Sequence, residues 1–402
     1  MRLCVFPNDP MEAYLAKGEV KTRYFNPGDL FDEVHVISLA DDDAEPAQVQ
    51  ETAGRARLFI HPVGASGLFT LPRLRGYRAR VQALLELIRP DVTRAYNPLL
   101  PGWLAVSCAQ ALGVPSVVSL HGNFDQDVRE LYLREGRWLH WLKYAPFAWT
   151  TEPYVLRRAD AVICAYEFPA LYARRHGASR IHVIYNRVDL DRFSPGPERG
   201  RAGALTVLTV GRLDPEKNHA ALIRALDGLD GVRLRLIGRG REESALRRLA
   251  ERTGVAARVE FIPAIPHGAI HAEYRRADAF AIATRYGGVH IPVLEAMASG
   301  LPLVLPRPQW EPEPELAADA ALVVDSNPAS FREALRALRD TPELRTRLGR
   351  IGRERMMPLG AAAMEARERG VYEELLGDKA DFRRNDKADR ANLPLSTVSR
   401  TN

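Results

Sequence analysis

The sequence predicts an α/β protein built from two doubly wound parallel sheets facing each other across a cleft. Three observations point there. Short runs rich in valine and isoleucine alternate with longer helical patterns along the chain, the mark of βα units in parallel sheets. At 402 residues the chain exceeds what one ordinary core supports. Residues 186–203, NRVDLDRFSPGPERGRAG, are polar, carry two prolines and three glycines, and lack apolar periodicity, as a linker does.

In the first half the expected strands are 2–6, 33–39, 57–61, 91–95, 115–120, 160–164 and 180–185, with helices at 73–89 and 100–112. In the second half they are 204–210, 232–237, 258–262, 278–283, 301–305 and 321–324. Helical patterns there fall near 217–229, 241–253, 267–276 and 328–340. The expected domains are therefore 1–185 and 204–360, joined by the linker and followed by a C-terminal helix at 361–376. The last stretch, 377–402, turns polar without a core pattern and is expected to be disordered.

Composition narrows the class. Hydrophobic residues make up 46% and charged residues 27%, as in a soluble globular chain. MRLCVF reads as a buried strand rather than a leader, and no apolar run approaches a bilayer span. Cys4, Cys108 and Cys164 have neither metal-ligand nor disulfide spacing and sit in apolar segments. Reduced core thiols, and hence the cytoplasm, are expected. The net charge of +5 comes without basic clusters interleaved with aromatics, so nucleic acid is not an expected partner. An anionic membrane face or a phosphorylated substrate is compatible.

The most informative stretch is residues 285–302, RYGGVHIPVLEAMASGLP. Pro292 suits a first helical turn, while Gly300 and Pro302 end the helix within three turns. Glu295 is thereby expected in the first turn, beside backbone N–H groups that suit a phosphate. A carboxylate beside phosphates needs another object, such as ribose hydroxyls. Residues 207–226, VLTVGRLDPEKNHAALIRAL, form a strand, a glycine turn, a basic loop and a helix. Arg212 and Lys217 there are expected to clamp a diphosphate, one as a planar fork and one as a point charge. His121 follows the strand PSVVSL directly, where an imidazole can bond a sugar hydroxyl or relay a proton.

NRVDLDRFSP, VGRLDPEKN and IPVLEAMASGLP, in this order and spacing, together resemble the retaining glycosyltransferases of family 4. The resemblance covers most of residues 90–345. It implies the GT-B architecture of two Rossmann-like domains. It also implies diphosphate binding by Arg212 and Lys217 with the helix N-terminus at Gly288 and Val289, and ribose binding by Glu295. His121 is implied near the transferred sugar. The nucleobase region is implied around Gly238 and Phe261, Ile262 and Pro263. The implied activity is transfer of a sugar from a nucleoside-diphosphate donor to an acceptor hydroxyl with retention, without cofactor or essential metal. The acceptor is expected to be a glycan, a lipid-linked molecule or a small molecule.

Two positions depart from the family pattern. Gly287 stands where the motif's first glutamate is usual, and Val289 and His290 replace a phenylalanine-glycine pair. His290 is a candidate to supply a polar group from that loop in place of the missing carboxylate. Arg187 stands where the linker motif usually has glycine. The loss at 287 keeps open a catalytically impaired protein that binds nucleotide or glycan and acts through a partner. An epimerase or phosphorylase of the same architecture also stays open, because fold alone decides no chemistry.

The remaining features have plainer expectations. Asp41–Asp43 and Asp125-Gln126-Asp127 read as polar loop and helix-start acids rather than metal ligands. Trp138, Trp141 and Trp149 lie in an aromatic stretch read first as packing against the sheet. A helix dipping into a lipid interface has the same pattern. Residues 7–29 read as a long irregular loop, with Lys17, Lys21 and Arg23 expected to touch the acceptor.

Overall fold

The computed structural model describes residues 1–18, 20–64, 71–122, 131–134, 136–196, 204–285, 290–308 and 319–377. The first half runs β1 (Arg2–Phe6), α1 (Met11–Lys17), β2 (Glu33–Ser38), α2 (Pro46–Val49), β3 (Arg57–Pro62), α3 (Leu71–Ile88), β4 (Val92–Ala95) and α4 (Leu100–Leu112). It continues through β5 (Ser116–Leu120), α5 (Leu131–Arg134), α6 (Trp138–Trp149), α7 (Thr151–Arg158), β6 (Ala161–Cys164), α8 (Glu167–Arg175) and β7 (Ile181–Val183). The second half runs β8 (Leu205–Val210), α9 (His219–Ala225), β9 (Val232–Ile237), α10 (Glu243–Arg252), β10 (Val259–Ile262), α11 (His267–Arg275) and β11 (Ala279–Ala281). It ends with α12 (Ile291–Ala298), β12 (Leu303–Pro306), β13 (Ala321–Val324), α13 (Pro328–Asp340), α14 (Pro342–Met356) and α15 (Ala361–Leu376).

Among the described residues these strands make two sheets, of seven strands in the order β3-β2-β1-β4-β5-β6-β7 and of six in the order β10-β9-β8-β11-β12-β13. All neighbours are parallel. Central strands such as β4, β5, β6 and β12 are buried along their whole length. Helices cover both faces of such sheets, and so their strands read as unbroken apolar runs. In each sheet the strand order reverses once, between β1 and β4 and between β8 and β11. A crevice opens at the carboxyl ends of the strands at such a reversal.

One expectation fails at the N-terminus. Residues 7–29 contain the helix α1, with Met11 and Tyr14 buried one turn apart and Gly18 closing it in the left-handed region. The Asp43 carboxylate accepts from the backbone N–H groups of Met11 and Glu12, at 3.0 and 2.8 Å. That carboxylate serves α1 as an N-terminal anchor, which agrees with the structural reading of Asp41–Asp43. Asp125 and Asp127 lie outside the described residues, as do 378–402 and part of the linker.

The C-terminal helix α15 crosses back onto the first sheet. Ala361 N–H donates to the Val188 carbonyl at 2.8 Å, and Tyr372 packs edge-on against Phe31 at 5.2 Å. Beneath them lies a buried charge network. Glu368 holds Arg94 at 2.7 Å and Arg187 at 2.7 Å. Arg94 donates to Tyr372 Oη at 2.7 Å and to Ser119 Oγ at 2.9 Å. Arg187 also donates to the Arg23 carbonyl at 3.1 Å. Arginine at 187 thus has a use here that glycine lacks: it ties the linker to α15. Removing one partner of a buried pair leaves the other charge unpaired, which costs about 3–5 kcal/mol. Glu368→Ala is expected to lose about that much in urea unfolding. A loss below about 1 kcal/mol, the worth of a surface pair, would contradict the role given to the network.

Candidate functional site

Parallel topology gathers the loops that follow the strands at one edge of each sheet. In the second sheet, residues 211–217 leave β8 and residues 282–285 leave β11, the two strands that flank the reversal. The loops are tied together, since Arg285 N–H donates to the Glu216 carbonyl at 3.0 Å. Arg212 and Lys217 lie here. Arg212 is exposed and folds back onto Asp214 at 3.0 Å and Glu216 at 2.8 Å. His219, buried at the start of α9, donates from Nε2 to the Arg212 carbonyl at 3.1 Å. Arg239, after β9, and Arg285, after β11, are exposed at the same edge. Neither was singled out from the sequence. The available signal was that each is the first basic residue after its strand.

His290 is the N-cap of α12, half-buried, with extended backbone. Burial, then the nearby Lys217 charge, pulls its imidazole down to about 3. A neutral ring is therefore available beside the helix start. Gly287, Gly288 and Val289 lie outside the described residues.

Glu295 requires a correction. The helix begins at Ile291, with no acid in its first turn, so Glu295 is the fifth residue rather than a first-turn one. Its carboxylate is buried and engaged at both oxygens. His267 Nε2 meets Oε1 at 2.9 Å, and Tyr274 Oη donates to Oε2 at 2.7 Å. His267 is half-exposed at the start of α11 and covers the carboxylate from outside. Each carboxylate oxygen retains a second lone pair, so a ribose hydroxyl can add to this cluster without displacing both partners. His267 and Tyr274 lie too far from Glu295 in sequence for spacing to reveal them.

The expected base region divides. Gly238 has φ of +154°, and a Cβ there would sit 1.9 Å from the Gly211 carbonyl oxygen. Only glycine fits. Ile262 and Pro263 end the neighbouring strand at the same edge. Phe261 points elsewhere: its ring lies under the Arg247 guanidinium of α10 at 4.4 Å, on a helix-covered face.

On the first sheet His121 follows β5 and stacks on Tyr96 at 5.9 Å, within 8° of parallel. Tyr96 stacks in turn on Tyr24 at 5.3 Å. The His121 ring is open to solvent on one side. Desolvation by the surrounding protein, then the Arg94 and Lys21 charges, bring it down to about 4, with Glu368 opposing. Asn97 Nδ2 donates to Asn8 Oδ1 at 2.8 Å, linking the loops at the β1/β4 reversal. Of the three expected acceptor residues, Lys21 lies near His121. Lys17 instead pairs with Asp9 at 2.7 Å, and Arg23 with Glu365 at 3.0 Å. Among the described residues no cluster of three histidine, cysteine or acidic side chains has the shape of a metal site.

Comparison with known proteins decides the architecture. Anabaena HepE in complex with UDP superposes with a TM-score of 0.69 at 15% identity, covering 93% of this chain and 100% of that one. The fold is GT-B. Two glycosyltransferase family models match as well, "Glycosyltransferase Family 4" over residues 30–192 and "Glycosyl transferases group 1" over residues 197–355. Glycogen synthase of Mycobacterium tuberculosis is 28% identical over 284 residues, 67% of this chain and 64% of that protein. The GDP-mannose-dependent alpha-(1-6)-phosphatidylinositol monomannoside mannosyltransferase of the same organism is 31% identical over 262 residues, 59% and 66% respectively. The chain thus spans less than two thirds of the length of these relatives. These matches support a GT-B glycosyltransferase.

Burial, opposed by the bond to the Arg212 carbonyl and helped by Lys217, lowers His219 to about 4. The unfolded chain takes up that proton near pH 6.5. The contribution of His219 to stability is full above about pH 6.5 and falls as the pH drops toward 4, by up to about 1.4 kcal/mol per unit. His219→Gln is expected to flatten that acid limb in pH-dependent denaturation. An unchanged slope would contradict the burial argument.

Proposed function

We propose that this chain transfers a sugar from a nucleoside-diphosphate donor to an acceptor hydroxyl, with retention at the anomeric carbon. The observation that carries the reading is the convergence of Arg212, Lys217 and the start of α12 at the β8/β11 reversal. A leaving diphosphate gathers negative charge as the glycosidic bond breaks, and fixed cations with helix N–H groups stabilise it. Arg212 and Lys217 take that role, so charge neutralisation needs no essential metal. Glu295, oriented by His267 and Tyr274, is assigned to the donor ribose. Retention rests on the family resemblance.

On the acceptor side, neutral His121 is suited to accept a hydrogen bond from a sugar hydroxyl. The departing phosphate oxygen then takes the acceptor proton, so no protein nucleophile is required. His290 offers the second neutral imidazole, from the loop whose usual glutamate is replaced by Gly287. That replacement favours one rival reading, a protein that binds nucleotide without turning it over. The donor base is open between the classes that similar proteins take, GDP-mannose for the mannosyltransferase and UDP in the HepE complex.

The test is nucleoside-diphosphate release from UDP-, GDP- and ADP-sugars. One donor is expected to hydrolyse slowly, and Lys217→Ala to reduce the rate by about 10²–10³-fold, as for loss of a group that stabilises developing charge. His290→Ala is expected to change turnover or donor preference. Release of no nucleotide together with tight donor binding would favour the rival reading. Neither release nor binding would defeat both.

A further inference from the structure

The helix α6 does not behave as its aromatic content suggested. Packing was expected, yet Trp138 is 59% exposed, Leu139 63%, Leu142 51% and Trp149 66%. Among the described residues seven large apolar side chains stand out as exposed, and five of them fall between residues 133 and 149. At about 100° per residue, Trp138, Leu139, Leu142, Pro146 and Trp149 share one stripe. Buried Ala145 and half-buried Trp141, which meets Trp149 edge-on at 6.0 Å, lie along one border of the stripe. Between the two tryptophans the described side chains of the stripe, Leu139, Leu142 and Pro146, are exposed as well.

The apolar cores of the described residues take no side chain from this helix. The crossover from β5 to β6 is completed by α7, which packs against α4. Helices α5 and α6 are additions to that connection, which starts at His121. Added structure that exposes a run of tryptophan and leucine has a use other than holding the core.

We propose that α6 is a docking helix that lies on a lipid bilayer bearing anionic headgroups. Its two indoles stand at the ends of the stripe with leucines between them, and indole rings favour the headgroup level. At twelve residues the helix is about 18 Å long, too short to span, so it lies in the plane of the interface. Charge favours the same occupant. The helix carries no acidic residue. The segment 131–158 contains Arg134, Arg137, Lys143, Arg157 and Arg158 against Glu135 and Glu152. Glu152 is buried against Tyr172 Oη and offers no charge to the surface. Arg137, Arg157 and Arg158 are exposed, as are Arg73, Arg75 and Arg80 on α3 of the same domain. Such a basic flank attracts anionic headgroups. This docking stands apart from the donor chemistry proposed above.

The experiment is co-sedimentation of the full chain with vesicles of phosphatidylcholine, alone or containing about one third phosphatidylglycerol. The wild type is expected to sediment with the anionic vesicles and to show blue-shifted tryptophan emission. Leu142→Glu, and separately Trp138→Ala, are each expected to lower the partition coefficient at least about tenfold. Both positions are exposed, so the thermal midpoint should stay at the wild-type value. Failure of the wild type to sediment would overturn the proposal, as would binding that neither variant weakens. A wild-type dimer that Leu142→Glu converts to a monomer in light scattering would overturn it too, by assigning the stripe to a second copy.

Discussion

The buried contact between Arg94, Glu368 and Arg187 fixes the linker and the C-terminal helix α15 on the first sheet. Burying three charges costs solvation, and a good apolar contact of the same volume is often as stable. What the charges add is position. Glu368 reaches both guanidinium groups only when α15 lies in one place on the first sheet, with Tyr372 under Arg94 and Gly360 beside Leu190. The same Arg94 charge lowers the proton affinity of His121, one strand away. A structural clamp and the protonation state of a candidate site residue thus share one side chain.

Topology does the rest of the placing. Parallel strands send every connecting loop from the carboxyl edge, and the reversals at β1/β4 and β8/β11 open crevices there. In the second domain the crevice is cationic but not bare, because Arg212 pairs with Asp214 and Glu216. Exposed pairs of this kind contribute at most about 1 kcal/mol. Charge-assisted bonds to a phosphate contribute about 1.5–3 kcal/mol each. On the proposed reading the exchange of local acids for a diphosphate is downhill, and the acids would keep the arginine near its place beforehand.

Most of the architecture was legible in the sequence. Strands such as β5 and β12 are buried along their length, and burial writes itself as short valine-rich runs bounded by turn residues. Helix α1 was missed because seven residues between a proline and a glycine resemble a loop, and its anchor, Asp43, lies far along the chain. The site was partly legible. Arg212, Lys217 and His121 stand directly after strands, where position alone suggests function. The partners of Glu295 were not legible, since His267 and Tyr274 reach it from another helix. For α6, packing and lipid contact leave the same amphipathic pattern, and only the exposure of Trp138 and Trp149 distinguishes them.

The claim on which the functional reading turns is that the loops after β8 and β11 bind a diphosphate. Calorimetric titration with UDP, GDP and ADP, each beside its monophosphate, measures this without knowledge of the sugar or the acceptor. One diphosphate should bind at least about tenfold more tightly than its monophosphate, the equivalent of one charge-assisted bond. That preference should disappear in Lys217→Ala. Equal affinity for the two nucleotides, or a preference that survives the substitution, would contradict a diphosphate site at these loops.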